Sequence, residues 1–578
     1  MLESFLLIFF CTVSSNAVDS EIHISEDHGV DQQKCSTCLT LQYALDQHNG
    51  NCMFILEDEK YYNLSFQVHE RRQIILNGYR EKEIATLFIS TERDNGLFDM
   101  SFGSCEIQYM NFVLSNGTGY PIFQFRSDES LWFKNCNVTA QESTKILDCN
   151  QISILNISNI TFMNISGDNG GRCIEVNGIN EQGLLQIQDC KFINCSTQKD
   201  DYGFILIHTI DGIGEININK SQFKNCAATG DLFPSETIPF NGCGGGLSII
   251  NDGEFNDAIR VQLSDCIFDG CSANREGGGI YVSNSQISFI RCNFSYCNAG
   301  LRDINQKQSS MGGAISAISS SINLISSSFH QITSECHGGA IYTDDCELIV
   351  DFSIFSNCSC QLKHNKQKQT RNDDINRLNG HGGTLLGTSS EIRISNSNFT
   401  QCSSQSGGAV AIITDVQSSD SSNIGVLMII KCIFTKCQST SGGGAIYLQD
   451  TKGIKLHDCL FIENLAAKNK GNDIYDNTEQ NIEQYKSHSD DRERQWILNC
   501  KSNSLNPQFV VGNNIILDLF ELYSDEQKPD EQEPEQKPDE QEPEQEIKET
   551  RIFVSLFHGE DKEDCRLNYE SPCKTIKI

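Results

Sequence analysis

Three short clusters hold residue types that could do acid–base chemistry. Asp344 is followed by Asp345, Asp373 by Asp374, and Gly380-His381-Gly382 comes shortly after. Paired carboxylates near a histidine are what glycoside cleavage needs, one carboxyl acting as acid and the other as base or nucleophile. Their contexts argue otherwise. His381 enters a recurring Gly-Gly phrase, as His337 does one copy earlier, so both read as repeat variants. Asp373-Asp374 lies in a basic, polar insertion, 363–377, that reads as a surface loop. His28-Gly29 and His558-Gly559 read as tight turns. No catalytic residue is assigned. There is no P-loop, zinc spacing, nucleophile elbow or calcium loop, so no metal and no cofactor are expected.

Sulfur is the second chemistry available. The chain has 27 cysteines; Cys11 falls in an N-terminal leader, and the remaining 26 are an even number, as full oxidative pairing requires. Many sit in a repeated phrase, Cys/Ser-x-Phe-x-x-Cys. Its clear copies centre on Phe192, Phe223, Phe268, Phe294, Phe355, Phe399 and Phe434. Weaker copies centre on Phe133, Phe162, Phe329 and Phe461. The disulfide candidates are Cys190, Cys195, Cys266, Cys271, Cys292, Cys297, Cys432 and Cys437. The competing reading is a stack of free, buried thiols, because free cysteine packs as a small hydrophobe.

A second phrase, Gly-Gly followed by a small and an aliphatic residue, alternates with the first. It is spelled out in Gly312-Gly313-Ala314-Ile315, Gly338-Gly339-Ala340-Ile341 and Gly443-Gly444-Ala445-Ile446. In Gly245-Gly246-Leu247 and Gly278-Gly279-Ile280 the small residue reads as missing. Internal repeats a few tens of residues long mean a solenoid or a propeller. Alternating runs such as Ile280 to Ile290 and Ile392 to Phe399 read as strands with one buried face. Amphipathic helical spacing is nearly absent. A parallel β-helix meets all of this. Coils stack about 4.8 Å apart, so equivalent residues pile into ladders and stacked cysteines fall inside the Cα window for a disulfide. Asn293 and Asn398 precede inward phenylalanines and should point outward.

The phrases resemble the repeats of the polymorphic outer-membrane adhesins of chlamydiae. More broadly they resemble the right-handed β-helix, pectate-lyase-like proteins. The likeness covers about residues 100 to 475. It implies an all-β, right-handed parallel β-helix solenoid, and surface or adhesive roles. It also raises the polysaccharide lyases and hydrolases of that fold. A galacturonan hydrolase would add an Asn-Thr-Asp and an Arg-Ile-Lys, and both are absent here.

Organisation and destination follow from the remaining segments. Residues 1–17 read as a secretory signal peptide, with the apolar run FLLIFF and a Ser15-Asn16-Ala17 cleavage site. Residues 18–99 read as an N-terminal cap and first coils, with a short helix over 40–47 that Cys35, Cys38 and Cys52 could staple. Residues 100–515 read as the β-helix. Residues 524–549 read as a disordered linker, and its stretch 525–549 holds 12 acidic and 3 basic residues. Residues 22–35 and 552–565 share Ile, Ser, His-Gly, Asp and Cys at a constant offset, so 550–578 reads as the start of a second, truncated module. The chain reads either as a fragment of a tandem protein or as the product of a decayed gene.

Eleven Asn-x-Ser/Thr sequons suggest a glycoprotein: Asn63, Asn116, Asn137, Asn156, Asn159, Asn164, Asn194, Asn219, Asn293, Asn357 and Asn398. The net charge of −33 disfavours nucleic acid and anionic membranes as partners. No stretch is long and apolar enough for a membrane span. The expected location is secreted or extracellular surface. Two functions are in play. The first is a non-catalytic structural or adhesive β-helix with carbohydrate or surface-protein partners. The second is a secreted carbohydrate-active enzyme.

Overall fold

The computed structural model describes residues between Ser20 and Leu522, apart from connecting segments such as 25–36, 90–97, 230–241, 301–309, 361–379, 415–425 and 478–496. The chain divides into Met1–Tyr523 and Ser524–Ile578. The second unit, the expected linker and the expected second module all lie outside the described residues, as do the leader, His28 and Asp373-Asp374.

The coil containing Phe294 shows how the sequence folds. Its strands are Ile280–Ser283, Ser285–Ile290, Asn293–Ser295 and Asn298–Ala299. Each pairs in parallel, in register, with the matching strand of the next coil: Ile280 with Ile315, Ile287 with Ile322, Phe294 with Phe329, Ala299 with Ser334. The first two strands belong to one bent sheet, so the coils build three parallel sheets around one core. This is a parallel β-solenoid.

The corners explain why one alternating run is really two strands. Asn284, Arg291 and Tyr296 have φ of 49°, 52° and 54°, in the left-handed region. A single such residue turns the chain, and asparagine, aspartate and serine fill many of these positions. The expected strands Ile280 to Ile290 and Ile392 to Phe399 are therefore broken, at Asn284 and Asn396. The residue after each corner points inward and is most often serine or cysteine. Its hydroxyl or thiol donates back across the turn: Ser285 Oγ to Ser283 O at 2.9 Å, Ser397 Oγ to Ser395 O at 2.7 Å, Cys346 Sγ to Asp344 O at 3.1 Å. Serine and cysteine are thus interchangeable at this position.

The two glycines of the other phrase have different duties. Gly338 has φ 52°. Gly339 lies so close to the next coil that a Cβ would meet Gly383 O at 1.8 Å. This corrects the reading of the first two copies. The left-handed residues there are Gly244 and Gly277, with φ 69° and 62°, so the pair begins one residue earlier and the small residue is Gly246 or Gly279. A further copy, Gly471-Asn472-Asp473-Ile474, was hidden because only its first glycine remains; Gly471 has φ 60°.

Inside, the phenylalanines form one continuous in-register ladder from Phe162 to Phe461. Phe192 and Phe223 stack at 4.8 Å, Phe223 and Phe268 at 4.5 Å, Phe355 and Phe399 at 4.8 Å, Phe399 and Phe434 at 4.9 Å. Phe133 is a correction. It pairs with Ile107 and Ile157 in the second-strand ladder, one corner before the phenylalanine position, which Val138 fills in that coil.

The N-terminal end carries a helix, Leu41–Gln47, capped by the Thr40 hydroxyl, which accepts from Tyr43 N. Its Leu41, Ala44 and Leu45 are buried in the same apolar cluster as the coils. Arg72 Nη1 donates to Leu45 O at 3.1 Å and His48 O at 2.7 Å, satisfying carbonyls at the helix C-terminus. Cys35 lies outside the described residues, and Cys52 is buried.

Candidate functional site

The three sheets do not treat solvent alike. On the second and third strands, outward residues are mostly polar, with Ile267, Ile354 and Ile433 as exposed exceptions, and polar ladders run along the corners. Arg291 forks onto Asp265 of the preceding coil at 2.7 and 2.8 Å, and Asn225 Nδ2 donates to Asn194 Oδ1 at 3.0 Å. Such exposed pairs contribute little to stability.

The first strand is buried on both faces. Its outward ladder runs in register through Tyr281, Ser316, Tyr342, Leu386, Ala411, Tyr447 and Tyr475. Every one of these residues is buried, and none is more than 8% exposed. Most belong to apolar clusters separate from the main core. Tyr447 and Tyr475 pack ring to ring at 5.9 Å, and Lys470 Nζ donates to Tyr475 Oη at 2.8 Å.

Coil length varies in the same place. The corners on either side of the phenylalanine strand keep their length in every coil from Thr161–Met163 to Leu460–Ile462. The long connections flank the first strand instead. Segments 230–241, 301–309 and 361–379 precede it, and 415–425 and 478–496 follow it. Insertions into a solenoid collect on one face, often the binding face. Alternation alone concealed this face, because period two reports one buried side. The visible signal was the repeated aliphatic–tyrosine doublet after the glycines: Ile280-Tyr281, Ile341-Tyr342, Ile446-Tyr447 and Ile474-Tyr475.

A row that includes three titratable groups borders this ladder at the glycine corners. Glu276, Met311, His337, His381 and Ser406 are joined by successive parallel bridges. Glu276 accepts from Ser316 Oγ at 3.1 Å, and burial raises its carboxyl above the usual range. His337 lies 6.3 Å from the Tyr342 ring and His381 5.4 Å from the Tyr447 ring. Burial, reinforced by His381, lowers His337 to about 3. His337 is therefore neutral in the fold. The unfolded chain takes up a proton near pH 6.5 while the folded chain does not, so stability is full above that pH and declines as pH falls from there toward 3. Denaturation midpoints should drop between pH 6.5 and 4, and His337→Gln should flatten that slope. An unchanged slope in the variant would refute the assignment.

The other groups singled out in the sequence fall as follows. Asp345 is a left-handed corner residue, φ 52°, equivalent to Ser319 and Ser389, which accounts for the Asp344-Asp345 pair without catalysis. Among the described residues, no three His, Cys, Asp or Glu side chains group so as to hold a metal. All eight candidate disulfide cysteines are buried free thiols in this structure. Cys190 has Ile160 and Ser221 as its ladder neighbours, so stacking brings it no cysteine on either adjoining coil. Cys266 faces Cys292, Cys195 faces Cys226, Cys271 touches both Cys226 and Cys297, Cys437 faces Cys402, and Cys432 adjoins Cys459. Asn293 and Asn398 are exposed, as the register required. Asn137, Asn159, Asn164, Asn194 and Asn357 are also exposed, whereas Asn156 and Asn219 are half-buried within the sheet; Asn63 and Asn116 lie outside the described residues.

Fold and surface together define a β-solenoid with one elaborated face. No family model, no curated protein and no solved structure matches the chain.

Proposed function

We propose that this is a non-catalytic secreted or cell-surface β-helix, structural or adhesive, that binds through the side carrying its insertions. The observation that supports the reading is the confinement of coil-length variation to the two ends of the first strand. A solenoid serving only as a spacer has no reason to elaborate one side. The doubly buried strand gives that side a rigid base, and the variable segments rooted in it supply the recognition surface. Carbohydrate and surface proteins are the partner classes proposed. The leader FLLIFF and the exposed sequons favour export, with glycans and inter-coil disulfides adding durability. The resemblance to polymorphic outer-membrane adhesins and pectate-lyase-like proteins points the same way.

The test uses the purified full chain on a glycan array and on intact cells, beside a variant with 361–379 replaced by a two-residue turn. Wild type should bind and release no reducing ends from polysaccharides. The variant should lose at least tenfold in affinity with an unchanged melting temperature. Depolymerisation of pectin or of a host glycan would refute the non-catalytic reading. Equal binding by the variant would remove that insertion from the binding surface.

A further inference from the structure

The cysteine positions carry more than their number. At the corner before each phenylalanine, the inward residue is Ser221, Cys266, Cys292 and Ser327 in four consecutive coils. At this corner position Cys266 and Cys292 are thus the one adjoining pair of cysteines in the four coils, closed off on both sides by serine. Their strands are locked in register: Ile267 pairs with Asn293, Phe268 with Phe294, and Asn293 N donates to Cys266 O at 2.9 Å. The Cys292 Sγ donates to Leu263 O at 3.5 Å, which turns it toward the coil of Cys266. The Cys266 Sγ donates likewise to Ile218 O of the coil before it, at 3.3 Å, and the two thiols lie close enough to influence each other's acidity.

We infer that Cys266 and Cys292 form a specific coil-to-coil disulfide when the chain folds in an oxidising compartment, and that Cys190 and Cys346 stay reduced. The proposal rests on the exported reading above for its setting, but its geometry does not. Two thiols form one S–S bond and give up two protons and two electrons. A disulfide donor such as glutathione disulfide accepts them and becomes two glutathione thiols. Cys346 has Ser320 and Ser390 as its corner equivalents, so its position holds no cysteine on either adjoining coil. Elsewhere the stack leaves a choice. Cys271 touches both Cys226 and Cys297, so its position does not specify one bridge.

The test maps disulfides in two preparations of the full chain. One is collected from the medium of a eukaryotic secretory cell. The other is refolded from reductant in a glutathione redox buffer. Both are denatured, alkylated without reduction and digested. A Cys266–Cys292 linked peptide is expected in both, with Cys190 and Cys346 alkylated. Cys292→Ser should leave Cys266 alkylated rather than re-paired, and serine already fills this position at Ser221 and Ser327. Alkylated Cys266 in both preparations, or Cys266 joined elsewhere, overturns the proposal. If no chain reaches the medium but the refolded chain carries the bridge, the export reading falls and the pairing stands.

Discussion

Gly339→Ala is expected to cost more than ~3 kcal/mol, or to abolish soluble full-length protein. The added Cβ would sit 1.8 Å from Gly383 O and under 3.0 Å from the Ser359 carbonyl. Those atoms are backbone, and the hydrogen bonds Gly339 N to Gly382 O at 2.9 Å and Ala340 N to Thr384 O at 2.8 Å hold them in place. Relief therefore requires parting two coils, which sacrifices ladder bonds on both sides of the corner. Overpacking a yielding core typically costs ~1–3 kcal/mol, and this site has nothing that yields. Gly300→Ala is the control. Its Cβ would meet only the Glu335 side chain, nearest atom 2.8 Å away, and that chain can swing aside. It should change stability by no more than about 0.5 kcal/mol. Urea denaturation of both variants decides the matter, and similar midpoints would show that the coils flex more than the register allows.

The solenoid was legible because in-register stacking turns a contact between coils into a repeat along the chain. Phe268 and Phe294 touch each other and therefore occupy equivalent phrases. Details that depend on the phase of a phrase were less visible. Phe133 is followed by Asn135 and Cys136, and Asn135 turns the chain with φ 52° just as Asn194 does after Phe192, so the phrase is imitated in full; only the pairing of Val138 with Phe162 shows that this is the earlier corner. Gly278-Gly279 looked like the glycine pair because three glycines in a row hide which one is left-handed. The corners at Asn284 and Asn396 were invisible to an alternation count, since one left-handed residue followed by an inward serine keeps the polar–apolar rhythm almost intact.

The face that carries the proposed function was the hardest part to read. Tyr342, Tyr447 and Tyr475 look like ordinary outward residues of a half-exposed strand. Their burial follows from coverage on the outer side, which no local pattern in the strand encodes. The cysteines were ambiguous for a related reason. A thiol that donates across a corner, as Cys346 does, performs the task of Ser285 and needs no partner. Counting 26 cysteines could not separate such residues from a facing pair like Cys266 and Cys292. Only the identity of the residue on the neighbouring coil does so.

Phe294→Ala should destabilise the helix by about 4 kcal/mol, within the ~3–5 kcal/mol usual for emptying a buried phenylalanine site. Phe294 stacks on Phe268 at 4.9 Å and on Phe329 at 4.8 Å, and meets Phe289 edge-on at 5.9 Å. Each stacking contact adds roughly 0.5–1.5 kcal/mol beyond burial. Phe294→Leu keeps most of the volume and should cost nearer ~1.5 kcal/mol. In a solenoid each coil contacts only its neighbours, so the damage should be local. Hydrogen exchange should rise most in Ile267–Asp269, Asn293–Ser295 and Ser328–His330, with Cys52–Leu56 little changed. Uniform loss of protection along the helix would mean that the coils unfold as one unit.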